Sequence, residues 1–237
     1  LRNWTETLTD AAFWQSWGRT IVYAGGGLII QLLLGTGIAL LLYFIPKFRN
    51  LLSTLFMLPV FVAPIVTGLL WRFLLDPTYG FYHWIVQRLG FDVQILGDPT
   101  LAMIAVIFMD VWEWTPLVTL IVLAGLQTVP EEPLEAADVD GANAWQKIFY
   151  VMLPMIRRMI VVALLVRSMD ILRYVDTIVI TTEGGPADAT KTIGYYLMQV
   201  AFRFQDIGSA AAVGLTMLIV STLMGRFFIK VLKAEEA

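Results

Sequence analysis

The sequence has no cysteine and a single histidine, His83, in 237 residues. Without thiols there is no disulfide framework, no iron–sulfur ligand set and no cysteine nucleophile, and one imidazole alone does not build a zinc site. His83 sits among aromatic residues and reads as a surface or packing residue. No G-x-x-x-x-G-K-[ST] stretch occurs, so the phosphate-cradling loop by which many proteins hold ATP is missing. No Ser/His, paired-aspartate or H-E-x-x-H arrangement points to an enzyme. We expect no catalytic residue, no metal site and no cofactor of its own. Charge is sparse as well: 15% of residues are Asp, Glu, Lys or Arg, with a formal net charge of −3. That leaves no basic surface for nucleic acid. Residues 1–17 lack the basic start, apolar run and small-residue cleavage site of a signal peptide.

What the sequence does hold is apolar. Hydrophobic residues make up 58% of it, and the mean hydropathy is +0.75. They fall in long runs, as the bilayer demands, where a span needs about 20 mostly apolar residues. Five stretches qualify, at residues 20–44, 51–73, 101–126, 159–180 and 208–232. Pro59 and Pro64 in the second and Pro116 in the third predict kinks, which neighbouring groups in a membrane bundle tolerate. The fold class is therefore all-α, a polytopic membrane helix bundle in one domain over residues 1–237, with no internal repeat or linker. Lys47 and Arg49, then Lys147, Arg157 and Arg158, then Lys230 and Lys233 all fall on one side of five spans, which makes that side cytoplasmic. Arg72, Arg88, Asp76, Asp92, Asp98, Lys191 and Arg203 fall on the other. Leu1 then starts outside and the tail 234–237 ends inside, and an odd span count predicts a sixth span N-terminal to this sequence. The outer segment 76–100 predicts a short surface helix, and 181–207 opens with the turn Glu183-Gly184-Gly185-Pro186 before a predicted helix over 190–204.

The cytoplasmic segment 128–158 predicts a helix hairpin. Pro130 and Pro133 favour a helix start, and Glu131, Glu132 and Glu135 suit its positive end. Asp140-Gly141 turns the chain, and a second helical stretch runs on to Pro154. Trp145, Ile148, Phe149 and Met152 recur at spacings of three or four and predict one apolar face.

Glu135-Ala136-Ala137, Asp140-Gly141-Ala142, Phe149 and Leu153-Pro154 resemble the EAA signature of ABC importer permeases, E-A-A-x-x-D-G-A followed by a hydrophobic helix and L-P. The likeness extends through most of the chain: Leu58-Pro59, Trp71-Arg72-Phe73, 112–116 and 124–127 are similar to the same family. The stretch from Asp176-Thr177 to Gly184-Gly185-Pro186, with Tyr195-Tyr196, Ala201-Phe202 and Asp206-Ile207-Gly208, resembles its carbohydrate, maltose-permease-like group. The resemblance implies the permease half of an ATP-driven, binding-protein-dependent importer of sugars or polyols in a bacterial inner membrane. It implies a coupling helix in the hairpin, a second permease that is a different chain, and two ATP-binding subunits carrying the ATP and Mg. It further implies an extracytoplasmic solute-binding protein. The competing reading, an ion-coupled secondary transporter, would call for an inverted repeat, and none is visible.

Charges inside the spans mark the candidate substrate path. Asp110, Trp112, Glu113 and Trp114 lie in the third span, and Arg167, Asp170, Arg173, Tyr174 and Asp176 in the fourth. An ionised group at the bilayer centre costs at least about 2.5–3.5 kcal/mol, so each must face protein or a wet cavity. Two readings stand for the fourth span: a path whose carboxylates and arginines bond solute hydroxyls, or a ladder of i,i+3 ion pairs, Arg167–Asp170, Asp170–Arg173 and Arg173–Asp176. The third span holds no base to pair with, which favours the path for Asp110 and Glu113. The glycines 25, 26, 27, 35 and 37 of the first span, and the small residues 208–214 of the fifth, predict close helix packing.

Overall fold

A computed structural model describes residues 2–91 and 93–234. Leu1, Asp92 and the tail residues 235–237, to which the sequence assigned sides of the membrane, lie outside the described residues. No strand occurs among the described residues.

Helix α1 (Arg2–Thr9) leads to Asp10, whose Oδ1 accepts from the backbone N–H of Ala12 at 2.9 Å and caps α2 (Ala11–Tyr43). At 33 residues α2 is about 50 Å long, well beyond the ~30 Å hydrocarbon core. Its Trp14 and Trp17 end therefore extends into the interfacial zone that tryptophan favours. The second stretch is not one kinked helix. It consists of α3 (Arg49–Phe56), a 3-10 turn at Leu58–Phe61 and α4 (Pro64–Leu74). Pro59 and Pro64 stand in the first turn of their helices, where a missing N–H leaves no bond unmade. Each proline thus starts a new segment, and α4, at 11 residues, is too short to cross alone.

The outer segment holds α5 (Phe81–Arg88), with His83 buried on its inner side. Asp98 accepts from the N–H groups of Thr100 and Leu101 and caps α6 (Pro99–Leu126), which stays helical through Pro116. The hairpin comprises α7 (Glu131–Val139), α8 (Ala144–Gln146), a π turn at Lys147–Met152 and α9 (Leu153–Met155). A bend of 64° at Ile156 joins it to α10 (Arg157–Ile171). The fourth predicted span is broken over residues 172–175, and α11 (Asp176–Thr181) follows. Then come α12 (Ile193–Met198), a π turn at Gln199–Arg203 and α13 (Ile207–Ala234).

Among the described residues, three helices, α2, α6 and α13, are long and apolar enough to cross a membrane, and the bent pair ending in α10 makes a fourth if taken as one span. Helix α6 is the axis of the bundle: 67% of its most apolar stretch is inside protein, against 28% for α2 and 17% for α13. Helices α2 and α6 run parallel, Gly27 lying opposite Asp110 and Gly35 opposite Val118. A Cβ at Gly35 would sit 2.8 Å from Val118 Cγ1, so only glycine lets the two backbones approach there. Phe13 at the start of α2 meets Ala210 and Val213 at the start of α13, so α13 runs the same way. The C-terminal ends of α2 and α6 then gather at the hairpin, in an apolar cluster with Leu42, Leu126, Met152 and Ile156. At the far end, Arg72 Nη1 donates to the Ile180 carbonyl at 2.9 Å and ties α4 to the end of α11. Large apolar residues such as Ile21, Leu33 and Leu223 stay exposed on the outer faces, as lipid contact requires.

Candidate functional site

Arg167 organises the centre. It is 1% exposed, and from inside α10 its side chain reaches both α2 and α6. Nη2 lies 2.9 Å from each carboxylate oxygen of Asp110, Nε donates to Gln31 Oε1 at 3.0 Å, and Nη1 donates to Asp170 Oδ2 at 2.9 Å. Gln31 closes the ring by donating from Nε2 to Asp110 Oδ2 at 2.6 Å and to the Asp110 carbonyl at 3.1 Å. The guanidinium also stands over the Trp114 ring, 5.0 Å from its centre. The base that α6 itself lacks is thus supplied by α10. Charge-assisted bonds of this kind are what make a fully buried ion pair tolerable.

The second oxygen of Asp170 accepts from Arg173, Nε at 3.1 Å and Nη2 at 2.8 Å. Two rungs of the predicted ladder are therefore present, Arg167–Asp170 and Asp170–Arg173, and the Arg173–Asp176 rung is absent among the described residues. Tyr174 donates to Glu113 Oε2 at 2.5 Å, which draws the broken segment after α10 onto α6. Trp112 turns elsewhere and packs edge-on against Trp71 at 5.7 Å in an apolar cluster.

Two cavities open on this framework. One, of about 520 Å³, is lined by Trp114, Arg167, Asp170, Arg173 and Ser221 among others. The other, of about 340 Å³, is lined by Pro64, Trp114, Asp170, Arg173, Tyr174 and Asp176. Trp114, Asp170 and Arg173 line both. Asp110 and Glu113, at 0% and 1% exposure, line neither and act as buried anchors behind the wall. An aromatic face beside a carboxylate and a guanidinium is what a polyhydroxylated solute needs: a surface for its C–H groups and partners for its hydroxyls.

The hairpin is built to be stiff. Gly141 takes φ +75°, a region glycine enters without penalty, and lets the Ala142 N–H return to the Ala137 carbonyl at 2.9 Å. Asn143 Oδ1 accepts from the Gln146 N–H at 2.9 Å while Gln146 Oε1 accepts from the Asn143 N–H at 2.7 Å, a reciprocal cap. Lys147 Nζ bridges back to Asp138 at 2.6 Å. The four residues expected on one apolar face divide into two. Ile148 and Met152, four apart, are buried against α6, while Trp145 and Phe149 stack at 6.1 Å and face out. Val139 and Tyr150 join them, at 89% and 79% exposure. Glu135, Ala136, Asp140, Gly141 and Pro154 are exposed, and Ala137, Ala142 and Leu153 are half-buried.

Gln31 is the residue that sequence reasoning missed. It is a lone amide in the run Leu28–Leu34, and its only signal was its polarity inside a span.

Residues 31–233 match the family model described as "Binding-protein-dependent transport system inner membrane component". The trehalose/maltose transport system permease protein MalF of Thermococcus litoralis is 34% identical over 88% of this chain and 70% of its own length. The trehalose transport system permease protein SugA of Mycobacterium tuberculosis is 30% identical over 99% of this chain and 75% of its own. Among solved structures, a chain of a bacterial alginate ABC transporter in complex with an alginate pentasaccharide-bound periplasmic protein superposes with a TM-score of 0.84. It is 22% identical and covers 94% of this chain and 79% of that one, so it speaks to the fold. An ion-coupled secondary transporter is not favoured by any of these relatives. A helical membrane subunit with a capped hairpin at one end and a polar cavity beside its central helix, matched over most of its length, this chain belongs to the family of binding-protein-dependent transport system inner membrane components.

Proposed function

We propose that the chain forms half of the translocation path for an uncharged sugar or polyol in an ATP-driven importer of a bacterial inner membrane. The observation that carries the reading is the charge balance of the two cavities. Their walls hold two cations, Arg167 and Arg173, and two anions, Asp170 and Asp176, and the Arg167 charge is further neutralised by Asp110 behind it. No cation is left over to hold a phosphate or carboxylate, while Trp114 offers a flat face and Asp170 and Arg173 offer hydroxyl partners. The relatives named for trehalose and maltose support the same class.

In this reading the chain is a single transmembrane domain without a cofactor of its own. A second permease, a different chain of the same family, completes the path. Two partner subunits hold ATP and Mg, and one receives the exposed Trp145–Phe149 stack of the hairpin. A solute-binding protein delivers the sugar at the opposite end. The test is reconstitution of the full assembly in liposomes with the binding protein. ATP-dependent accumulation of a labelled disaccharide, and none of a hexose phosphate, is the expected result. Uptake by the permeases alone under a proton or sodium gradient would overturn the proposal.

A further inference from the structure

The wall of the cavity depends on a residue outside it. Gln31 is 0% exposed and lines neither cavity, yet it holds both partners of the central ion pair at once. Its amide N–H groups fix Asp110, and its Oε1 takes the one Arg167 donor, Nε, that no carboxylate engages. An arginine fork has fixed geometry, so pinning Nε and Nη2 decides where Nη1 points. Nη1 points at Asp170 Oδ2, leaving Oδ1 to orient Arg173, whose side chain is 78% exposed. The chain of contacts therefore runs from α2 through a buried guanidinium to the two charged groups that line both cavities.

We infer that Gln31 is a positioning residue for the translocation path, setting the Asp170 carboxylate and Arg173 guanidinium through Arg167. The inference rests on the reading of these cavities as the path. An unbranched amide suits the task, since it supplies a donor to Asp110 and an acceptor to Arg167 without adding charge to a pair already balanced.

The test is a double-mutant cycle in the complete reconstituted transporter, reading solute moved per ATP hydrolysed. This ratio is insensitive to how much complex assembles, so a merely structural defect leaves it unmoved. We expect D170N to lower the ratio and Q31L to lower it about tenfold, the scale of one buried hydrogen bond to a charged group. Q31L/D170N should then be no worse than D170N alone, because both act on one wall. Additive effects, or a normal ratio in Q31L beside a lowered one in D170N, overturn the positioning role and leave the path reading standing. A normal ratio in D170N overturns the path reading, and this inference with it. Should Q31L fail to assemble, Q31M keeps the unbranched shape and serves the same cycle. If neither assembles, Gln31 is a folding residue and the inference is overturned.

Discussion

Arg167 carries a full charge into a site with 1% exposure, where its stability depends on Asp110, Gln31 and Asp170 being present together. Removing one member of a buried pair leaves the other uncompensated and costs about 3–5 kcal/mol, whereas replacing both with apolar groups is often neutral. R167L alone should therefore lower the thermal unfolding temperature of the detergent-purified protein sharply, and R167L/D110L should recover most of the loss. Equal damage in the single and double variants would show that the pair does not act as a unit. How far this was legible depends on what a residue reveals alone. A charge in a span announces that it needs a partner, so Asp110 and Arg167 stood out in the sequence. Which partner it takes is a matter of packing: the i,i+3 spacing along α10 suggested a ladder, and the cross-helix bond to Asp110 is set instead by how closely α2, α6 and α10 approach.

At the scale of elements, regular helices were readable and interruptions were not. The apolar runs behind α2, α6 and α13 have span length, and the hairpin's proline start and Asp140-Gly141 turn were visible in sequence, whereas the Asn143–Gln146 reciprocal cap was not read there. Prolines 59 and 64 were visible, but whether a proline kinks a helix or starts a new one depends on what neighbours can satisfy the freed carbonyls. The break over residues 172–175 has no proline or glycine to mark it; what accompanies it is a tertiary bond, Tyr174 to Glu113 on α6, which sequence spacing does not show. The hairpin gives a prediction at this scale. G141A must hold alanine at φ +75°, at a cost of about 1–2 kcal/mol, and N143A loses a cap worth about 1 kcal/mol. Both variants should insert normally and reduce solute-stimulated ATP hydrolysis in the assembled transporter, with G141A the more affected; unchanged stimulation in both would mean the stiffness of the turn does not matter. The start of α13 gives another. The Ser209 side chain first, and then the Ser209 N–H, which donates to Asp206 Oδ1 at 3.0 Å, hold the Asp206 carboxyl below the usual aspartate range. A carboxylate so held stabilises the fold above its unfolded value and loses that contribution as pH falls through its folded one, so D206N should flatten the acid limb of the unfolding temperature measured from pH 6 to pH 3.

For the whole molecule the decisive property is polarity, meaning which end meets which partner. Helices α2, α6 and α13 run in one direction, so the hairpin and the loop at Tyr79 occupy opposite ends of the bundle. The same arrangement places Lys147, Arg157 and Arg158 with the hairpin, on the side that a lysine and arginine excess marks as cytoplasmic. Because the sequence has no cysteine, one introduced thiol is the only reactive one in the chain, and labelling reports a single position. Val139, at 89% exposure on the hairpin, and Tyr79, at 63% beyond α4, are the positions to compare. With a membrane-impermeant maleimide, V139C should label in inside-out vesicles and Y79C in right-side-out ones. Under the proposed function, adding the ATP-binding subunit should then protect V139C and leave Y79C unchanged, because the hairpin is the surface proposed to receive that subunit. Labelling of V139C from the outside would reverse the topology and overturn the proposed contact between the hairpin and the ATP-binding subunit. Labelling from the inside without protection would keep the topology and place the ATPase contact elsewhere.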